Sequence, residues 1–308
     1  MKILASRRFP GPAWDALDDV EYLSGPLPGG VGRRRDDVEA LAAVGEHVDG
    51  ATLELVPNLR IVANYGVGYD SIDVAALAAR GVWVTNTPGV LTAATADLTI
   101  ALLLAVRRRV VVGDRAVRDG RWHGAWADSD FLGRDVSGST LGIVGLGRIG
   151  NAVAQRAAGF DVRVLHHSRR RDREGWRSLD QLIAEADAVS LHVPLTNETR
   201  GLIDARRLAL IRDGACLINT ARGAIVDEDA LVRELVSGRI EAGLDVFARE
   251  PAVPRELLDL PNVVLTPHVG SATAETREAM TRVLVDNLQS AARGETPPHL
   301  VYPDTEAP

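Results

Sequence analysis

Three side chains of different chemistry, Arg222, Glu250 and His268, each follow an apolar segment and lie next to Gly or Pro. They stand in Asn219-Thr220-Ala221-Arg222-Gly223, in Asp245-Val246-Phe247-Ala248-Arg249-Glu250-Pro251 and in Thr266-Pro267-His268-Val269-Gly270. If the apolar segments are parallel strands, these side chains lie at the carboxyl ends, where doubly wound sheets bind ligands. An arginine can bind a carboxylate and polarise a ketone, a histidine can protonate the forming alkoxide, and a glutamate can orient that histidine and stabilise its protonated form. The set suits reduction of an α-keto acid.

Each of the three also has an ordinary structural explanation when taken alone. Arg222 could be a surface arginine, Glu250 could cap a turn before Pro251, and His268 could be a hydrogen-bonded core histidine. The three together favour the chemical interpretation.

A glycine-rich turn follows the apolar segment that ends at Val144. Its residues are Gly145-Leu146-Gly147-Arg148-Ile149-Gly150, and a segment with helical character comes next. The first glycine allows a tight turn, the second lets the backbone approach a pyrophosphate, and the third lets the helix pack closely on the strand. The helix N-terminus adds free N–H groups and partial positive charge. The context predicts a dinucleotide site.

The residues after the next predicted strand indicate which dinucleotide. An NAD-preferring site places Asp or Glu about 20 residues after the glycines. Here the sequence is His166-His167-Ser168-Arg169-Arg170-Arg171, and the first acid is Asp172. Guanidinium groups and a hydroxyl suit a 2′-phosphate. We therefore expect Ser168, Arg169 and Arg170 to favour NADP(H), with NAD(H) still open, and the alternative is a solvated basic loop.

Composition bounds the function classes. The chain has 308 residues, 35 Lys and Arg and 42 Asp and Glu, for a formal net charge of −7. This balance gives no overall electrostatic footprint for nucleic acid or for an anionic membrane. The single cysteine, Cys216, excludes an internal disulfide and a cysteine-based zinc cage, and no metal site is expected. The longest apolar stretch, 98–106, is far below the roughly 20 residues that cross a bilayer, so we expect a cytoplasmic protein.

Short apolar runs alternate with longer amphipathic ones, which is typical of βαβ units around parallel sheets. The predicted strands are 60–64, 82–85, 140–144, 162–166, 188–192, 215–219 and 263–266. The predicted helices are 73–80, 94–119, 150–158, 179–184, 228–237 and 274–292. The fold class expected is therefore α/β.

Two breaks, at Thr87-Pro88-Gly89 and at Thr266-Pro267-His268, predict crossings between domains. Residues 1–93 and 270–308 would form one discontinuous domain, and residues 94–269 the dinucleotide-binding domain. The Gly-, Pro- and Arg-rich segment 24–35 is predicted as a loop, and 38–45 as the strand that follows it.

These motifs resemble the D-isomer-specific 2-hydroxyacid dehydrogenase family. The separations of 28 and 18 residues between Arg222, Glu250 and His268 fit the family pattern, and the likeness covers nearly the whole chain after about Val48. Further matches are Asn64-Tyr65-Gly66-Val67-Gly68-Tyr69-Asp70, Asn86-Thr87-Pro88-Gly89 and Leu191-His192-Val193-Pro194-Leu195-Thr196. Within the family the chain is most similar to the glyoxylate/hydroxypyruvate reductase and 2-ketogluconate reductase branch, which commonly prefers NADP(H).

The resemblance implies two Rossmann-like, doubly wound parallel-sheet domains and a homodimer built through the nucleotide domains. It implies that backbone N–H groups of Val67 and Gly68, with Arg222 and His268, bind a 2-keto acid, and that Asp245 anchors the nicotinamide. The remaining coenzyme contacts implied are Pro194, Thr220, Ala221 and Gly270. Trp126 would lie near the partner subunit's site, with core packing as the alternative.

Three other functions stay open on the sequence. A formate dehydrogenase-like enzyme shares the architecture, although Glu250 favours keto-acid chemistry. Phosphonate oxidation within the same superfamily is not distinguished by the motifs. A dinucleotide-sensing scaffold similar to the family's corepressors would not need the complete Arg, Glu and His set.

Overall fold

The computed structural model describes residues 1–124 and 131–302, which form two compact units. The first unit comprises Met1–Leu91 and Ser271–Pro308, and the second comprises Thr92–Gly270. The strands are β1 (Ile3–Ala5), β2 (Val20–Tyr22), β3 (Ala40–Ala43), β4 (Ile61–Asn64), β5 (Trp83–Thr85), β6 (Thr140–Val144), β7 (Arg163–His167), β8 (Ala188–Leu191), β9 (Cys216–Asn219), β10 (Glu241–Leu244), β11 (Val263–Leu265) and β12 (Leu300–Val301). The helices are α1 (Pro12–Asp15), α2 (Gly50–Leu55), α3 (Val74–Ala79), α4 (Thr92–Arg107), α5 (Val110–Arg118), α6 (Arg148–Ala157), α7 (Leu179–Glu185), α8 (Ala205–Leu208), α9 (Glu228–Val236) and α10 (Ala274–Ala292).

The first unit is built on a six-stranded sheet in the order β12-β5-β4-β3-β1-β2. Its strands are parallel except β12, which pairs antiparallel with β5. All four residues of β3 and of β4 are buried, because a parallel sheet is covered on both faces. The long helix α10 returns to this unit and buries Met280, Leu284 and Leu288.

The second unit is built on a six-stranded, all-parallel sheet in the order β11-β10-β9-β8-β6-β7. Strand order reverses around β6, so the carboxyl ends of β6 and β8 flank the point where such sheets bind ligands. The two parallel-sheet units confirm the predicted α/β fold class.

The predicted single helix over 94–119 is wrong, because α4 and α5 are separated at Arg108 and Arg109. Arg109 has a φ of 50°, in the left-handed region. The Arg107 carbonyl accepts from the Arg134 backbone N–H at 2.7 Å instead of continuing the helix, and Gly133 packs so closely on that carbonyl that a Cβ would overlap it. A contact with residues well along the chain therefore ends the helix.

The segment between Gly25 and Val48 contains one strand, β3. The segment 24–35 is a loop with one 3-10 turn at Gly29–Val31, and β3 lies within the predicted 38–45. Six elements of two to six residues were not predicted: β1, β2, β12, α1, α2 and α8. Along 1–124 and 131–302, no helix is long and apolar enough to span a bilayer.

Candidate active site

The three side chains of the predicted chemistry follow three neighbouring strands of the second unit. Arg222 follows β9, Glu250 follows β10 and His268 follows β11. Because these strands are parallel and adjacent, their carboxyl ends meet at one edge of the sheet. Gly223 packs directly on the backbone of Phe247, where a Cβ would overlap the carbonyl carbon. The fold therefore brings the arginine and glutamate loops into backbone contact.

Glu250 and His268 form a direct pair. Nδ1 of His268 lies 2.7 Å from Oε2 of Glu250, and the Phe247 backbone N–H donates to Oε1 at 3.1 Å. Burial pushes the pKa of the Glu250 carboxyl upward, but the hydrogen bonds from His268 and Phe247 and the charges of His268 and Arg222 outweigh burial and leave that pKa lowered. The imidazole is half exposed, with 50% of its side-chain surface accessible. With Nδ1 occupied by the carboxylate, Nε2 is the nitrogen available for proton transfer.

The backbone that carries His268 is held by a buried carboxylate. His268 has a φ of 53°, a conformation that non-glycine residues rarely adopt. The carboxylate of Asp245 accepts from the Thr266 hydroxyl at 2.6 Å and from the Val269 and Gly270 backbone N–H groups at 2.8 Å each. Burial raises the pKa of Asp245, and these bonds oppose the shift. Asp245, predicted as a nicotinamide anchor, is fully buried here, with its carboxylate directed at the turn 266–270.

Arg222 lies in extended backbone, and the loop before it is fixed by a buried asparagine. The Asn219 side chain donates to the Arg222 carbonyl at 2.9 Å and accepts from the Ala221 N–H at 3.0 Å. Thr220, predicted as a coenzyme contact, shares a hydroxyl–hydroxyl hydrogen bond of 3.0 Å with Thr99 of α4. Both loop residues before Arg222 are thus tied to the unit's interior.

In the first unit, the predicted substrate loop at 64–70 is organised by two asparagine side chains. Asn64 donates to the carbonyls of Gly66 at 3.2 Å and Gly68 at 2.8 Å, and Asn86 donates to the Val67 carbonyl at 2.9 Å. Three successive carbonyls are thereby bound to amide groups. Successive backbone N–H groups in such turns form anion-binding concavities. Asn64 and Asn86 lie in the sequence motifs, but no role was predicted for them. Asparagine side chains often hydrogen-bond nearby backbone groups in turns, so such a role could have been expected.

The glycine turn fits a pyrophosphate. Gly145 has a φ of 97°, and a Cβ there would lie 2.7 Å from the His192 carbonyl oxygen, beside the end of β8. Gly147 is the N-cap of α6, and Gly150 packs on the Gly145 carbonyl with no room for a Cβ. The predicted coenzyme residues Leu146, Arg148 and Ile149 lie in this turn and the first turn of α6. Pro194, also predicted, follows β8, and its carbonyl accepts from the Thr199 hydroxyl at 2.6 Å.

The predicted 2′-phosphate residues Ser168, Arg169 and Arg170 open a loop that follows β7. The His166 N–H donates to the Gly175 carbonyl at 3.0 Å, and the Trp176 indole donates to the Ser168 carbonyl at 3.1 Å. His166 is buried, with its Nδ1 3.2 Å from the Ser168 hydroxyl oxygen. The arginine-rich segment is therefore a closed loop whose two ends are joined by hydrogen bonds. Neither Trp176 nor His166 was assigned a structural part in it from the sequence.

His192 follows β8, and Cys216 is the first residue of β9. The Nε2 of His192 lies 2.8 Å from the Ser190 hydroxyl, and burial lowers the pKa of His192 to about 4. Cys216 is fully buried, and burial raises the pKa of its thiol to about 12. Trp126 lies outside the described residues.

Comparisons with known proteins point to one family. Residues 100–270 match the family described as "D-isomer specific 2-hydroxyacid dehydrogenase, NAD binding domain". A glyoxylate reductase from Pyrococcus horikoshii is 52% identical over 277 residues, covering 86% of this chain and 83% of the relative. The chain belongs to the D-isomer-specific 2-hydroxyacid dehydrogenase family.

Solved structures place this family member among proteins of the same fold. A protein from Thermus thermophilus aligns with a TM-score of 0.91 and 46% identity, covering 98% of this chain and all of that one. The NADPH-dependent glyoxylate/hydroxypyruvate reductase of Sinorhizobium meliloti, in complex with NADP and malonate, aligns with a TM-score of 0.86 and 36% identity, covering 97% and 96% of the two chains. The resemblance seen in the sequence is confirmed.

Proposed function

We propose that this family member reduces a small 2-keto acid to the D-2-hydroxy acid with NADP(H), using His268 as the proton donor. The observation that carries the proposal is the His268–Glu250 pair, at 2.7 Å, at the same sheet edge as Arg222. A carboxylate bound to one ring nitrogen stabilises the imidazolium and leaves the other nitrogen to donate. This arrangement supplies both an anion ligand and an acid.

The proposed role of each side chain follows from its charge and its hydrogen-bonding groups. Arg222 binds the carboxylate and keto oxygens of the substrate, since a guanidinium matches paired oxygen acceptors and stabilises developing negative charge. Nε2 of His268 gives its proton to the oxygen of the reduced carbonyl, while Glu250 balances the imidazolium before transfer. The nicotinamide, when bound, supplies the hydride. Asp245 holds the turn that sets where His268 stands.

The loop 64–70 is proposed as a second carboxylate ligand. With the carbonyls of Gly66, Val67 and Gly68 bound by Asn64 and Asn86, the N–H groups of Val67 and Gly68 are arranged to receive an anion. Backbone N–H groups keep their protons at any ordinary pH, so this contact serves binding and not proton transfer.

The coenzyme proposed is NADP(H), with NAD(H) as the weaker partner. Gly145, Leu146, Gly147, Arg148, Ile149 and Gly150 would hold the pyrophosphate, with Pro194, Thr220, Ala221, Asp245 and Gly270 around the rest. The loop that opens with Ser168, Arg169 and Arg170 carries no acid before Asp172, which favours a 2′-phosphate over a free ribose hydroxyl. The Sinorhizobium neighbour, whose complex contains NADP, supports the same assignment.

Glyoxylate is the first substrate to test, because the similar curated relatives are named glyoxylate reductases; hydroxypyruvate and 2-ketogluconate are the next. A homodimer through the second unit is part of the proposal, supported by apolar side chains exposed at Val110, Val117 and Leu132. A cytoplasmic location, expected from the sequence, belongs to it as well.

The test is a steady-state panel of glyoxylate, hydroxypyruvate and 2-ketogluconate with NADPH and with NADH, followed by nicotinamide absorbance. We expect turnover with at least one keto acid and a higher kcat/KM with NADPH. Coenzyme binding without turnover on any keto acid would favour the dinucleotide-sensing scaffold. Oxidation of formate or a phosphonate in place of keto-acid reduction would overturn the substrate class.

A further inference from the structure

Asn151, the residue directly after the glycine turn, uses its whole side-chain amide on two different loops. Its Nδ2 donates to the carbonyls of Leu146 at 2.8 Å and Gly147 at 2.7 Å. Its Oδ1 accepts from Nη1 of Arg173 at 3.1 Å. Rotating the amide by half a turn would oppose its oxygen to two carbonyls and its N–H groups to a guanidinium. The three partners therefore fix one orientation.

Arg173 belongs to the closed loop 168–176 that follows β7. The base of that loop is fixed by the paired backbone bonds of His166 with Gly175 and Arg177, at 3.0 and 2.9 Å. Another arginine of the loop, Arg171, lies over the Trp176 ring at 5.5 Å. Arg173 instead reaches back to α6 and its preceding turn, so its bond joins the tip of the basic loop to the glycine turn.

We infer that the Asn151–Arg173 hydrogen bond is a strut that holds the 2′-phosphate loop in register with the pyrophosphate turn. Asn151 and Arg173 are then positioning residues for coenzyme selectivity, and Arg173 acts through Asn151 rather than as a phosphate ligand. The inference deepens the NADP(H) preference proposed above and rests on it. Its physical basis is that a loop held in advance loses less conformational freedom when it binds its ligand.

The experiment is a double-mutant cycle on the full-length protein, with dissociation constants for NADPH and NADH measured by calorimetry for wild type, Arg173→Ala, Asn151→Ala and the double variant. We expect Arg173→Ala to weaken NADPH binding about tenfold, the effect of one lost hydrogen bond to a charged group. NADH binding should change less than about twofold. Asn151→Ala should weaken both coenzymes, because Asn151 also holds the carbonyls of the pyrophosphate turn.

The decisive result is the Arg173→Ala effect in the Asn151→Ala background. The strut predicts that the penalty disappears there, because the bond is already lost. An unchanged tenfold penalty would make Arg173 a direct phosphate ligand and overturn the inference, as would no penalty in either background. Arg171→Ala is the matched control: its effect, whatever its size, should be the same with Asn151 or Ala at position 151.

Two further measurements keep the outcome interpretable. Thermal midpoints are recorded for every variant, and Asn151→Ser, too short to reach Arg173, repeats the cycle if Asn151→Ala does not fold. A wild-type protein that binds NADH as tightly as NADPH would overturn the coenzyme preference. An Arg173→Ala penalty that is present with Asn151 and disappears in the Asn151→Ala background, measured with either coenzyme, would still support the strut.

Discussion

We propose the loop 64–70 and the cluster of Arg222, Glu250 and His268 as two anion sites, and the two are built by different means. In the loop, neutral amides of Asn64 and Asn86 hold backbone carbonyls, and the binding groups are N–H donors. In the cluster, the binding groups are charged side chains, held by an ion pair and by the buried carboxylate of Asp245. The first can bind but cannot exchange a proton, and the second can do both. We therefore expect changes in the loop 64–70 to alter substrate affinity, and changes in the cluster to alter the chemical step.

Changing the charge geometry of the cluster should have the largest effect on catalysis. Arg222→Lys removes the paired donors that match two oxygens, at about 1.5–3 kcal/mol for each charge-assisted hydrogen bond lost. We expect kcat/KM for glyoxylate to fall about a thousandfold. Arg249→Lys, an exposed arginine in the neighbouring loop, is the control and should leave kcat/KM within about twofold. Near-normal activity of Arg222→Lys would show that Arg222 does not bind the substrate as proposed.

Glu250→Gln keeps the shape of the pair and removes its charge. Because the pKa of Glu250 is lowered, the carboxylate is ionised throughout neutral and mildly acidic pH. The variant lacks the negative charge that pairs with the His268 ring during proton transfer, so we expect about a hundredfold lower kcat at neutral pH. The kcat of both proteins at saturating glyoxylate decides the point, and equal values for variant and wild type would contradict the role of the pair.

The lowered pKa of Glu250 also predicts how the stabilities of wild type and Glu250→Gln differ at acidic pH. A carboxyl with a lowered pKa stabilises the fold above its ordinary value of 4.5, and that stabilisation is lost as pH falls below it. Wild type should therefore lose stability below about pH 4.5 that Glu250→Gln does not lose. Denaturant unfolding of both proteins across acidic pH measures the difference.

Asp245→Asn should lower kcat by about thirtyfold, through position and not through contact with substrate. The asparagine amide places N–H groups against the N–H of Val269 or Gly270, so one hydrogen bond becomes a repulsion. Without that support the left-handed backbone of His268 is less populated. Thr266→Val, which loses a single bond to the same carboxylate, should show a smaller fall. A change confined to coenzyme affinity, with kcat intact, would show that Asp245 acts on the coenzyme and does not position His268.

The smallest effect is expected in the backbone-built loop. Asn86→Ala frees the Val67 carbonyl and should raise KM for glyoxylate about fivefold, with kcat and its pH dependence unchanged. Asn58→Ala is the matched control, because Asn58 also donates to a backbone carbonyl of the same unit, that of Asp36. A shifted pH profile in Asn86→Ala would break the division between affinity and chemistry.

The sequence predicted what depends on pattern and spacing. Seven strands, the glycine turn and the three chemical side chains follow from apolar runs, local motifs and strand ends, and each lies where parallel-sheet geometry places it. The break between α4 and α5 was missed because its cause, the Arg134 bond to the Arg107 carbonyl, joins residues far apart in the sequence. The supporting bonds of Asp245 and Asn151 were missed for a similar reason, since side-chain hydrogen-bond partners are not visible in residue order.

The proposed proton donor is His268, and the turnover of the His268→Ala variant shows whether it has that role. NADPH oxidation at saturating glyoxylate is compared for wild type, His268→Ala and the exposed-histidine control His47→Ala. We expect about a thousandfold loss of kcat for His268→Ala, within the range of general-acid catalysis, and wild-type turnover for the control. A His268→Ala protein that turns over within about threefold of wild type would contradict it.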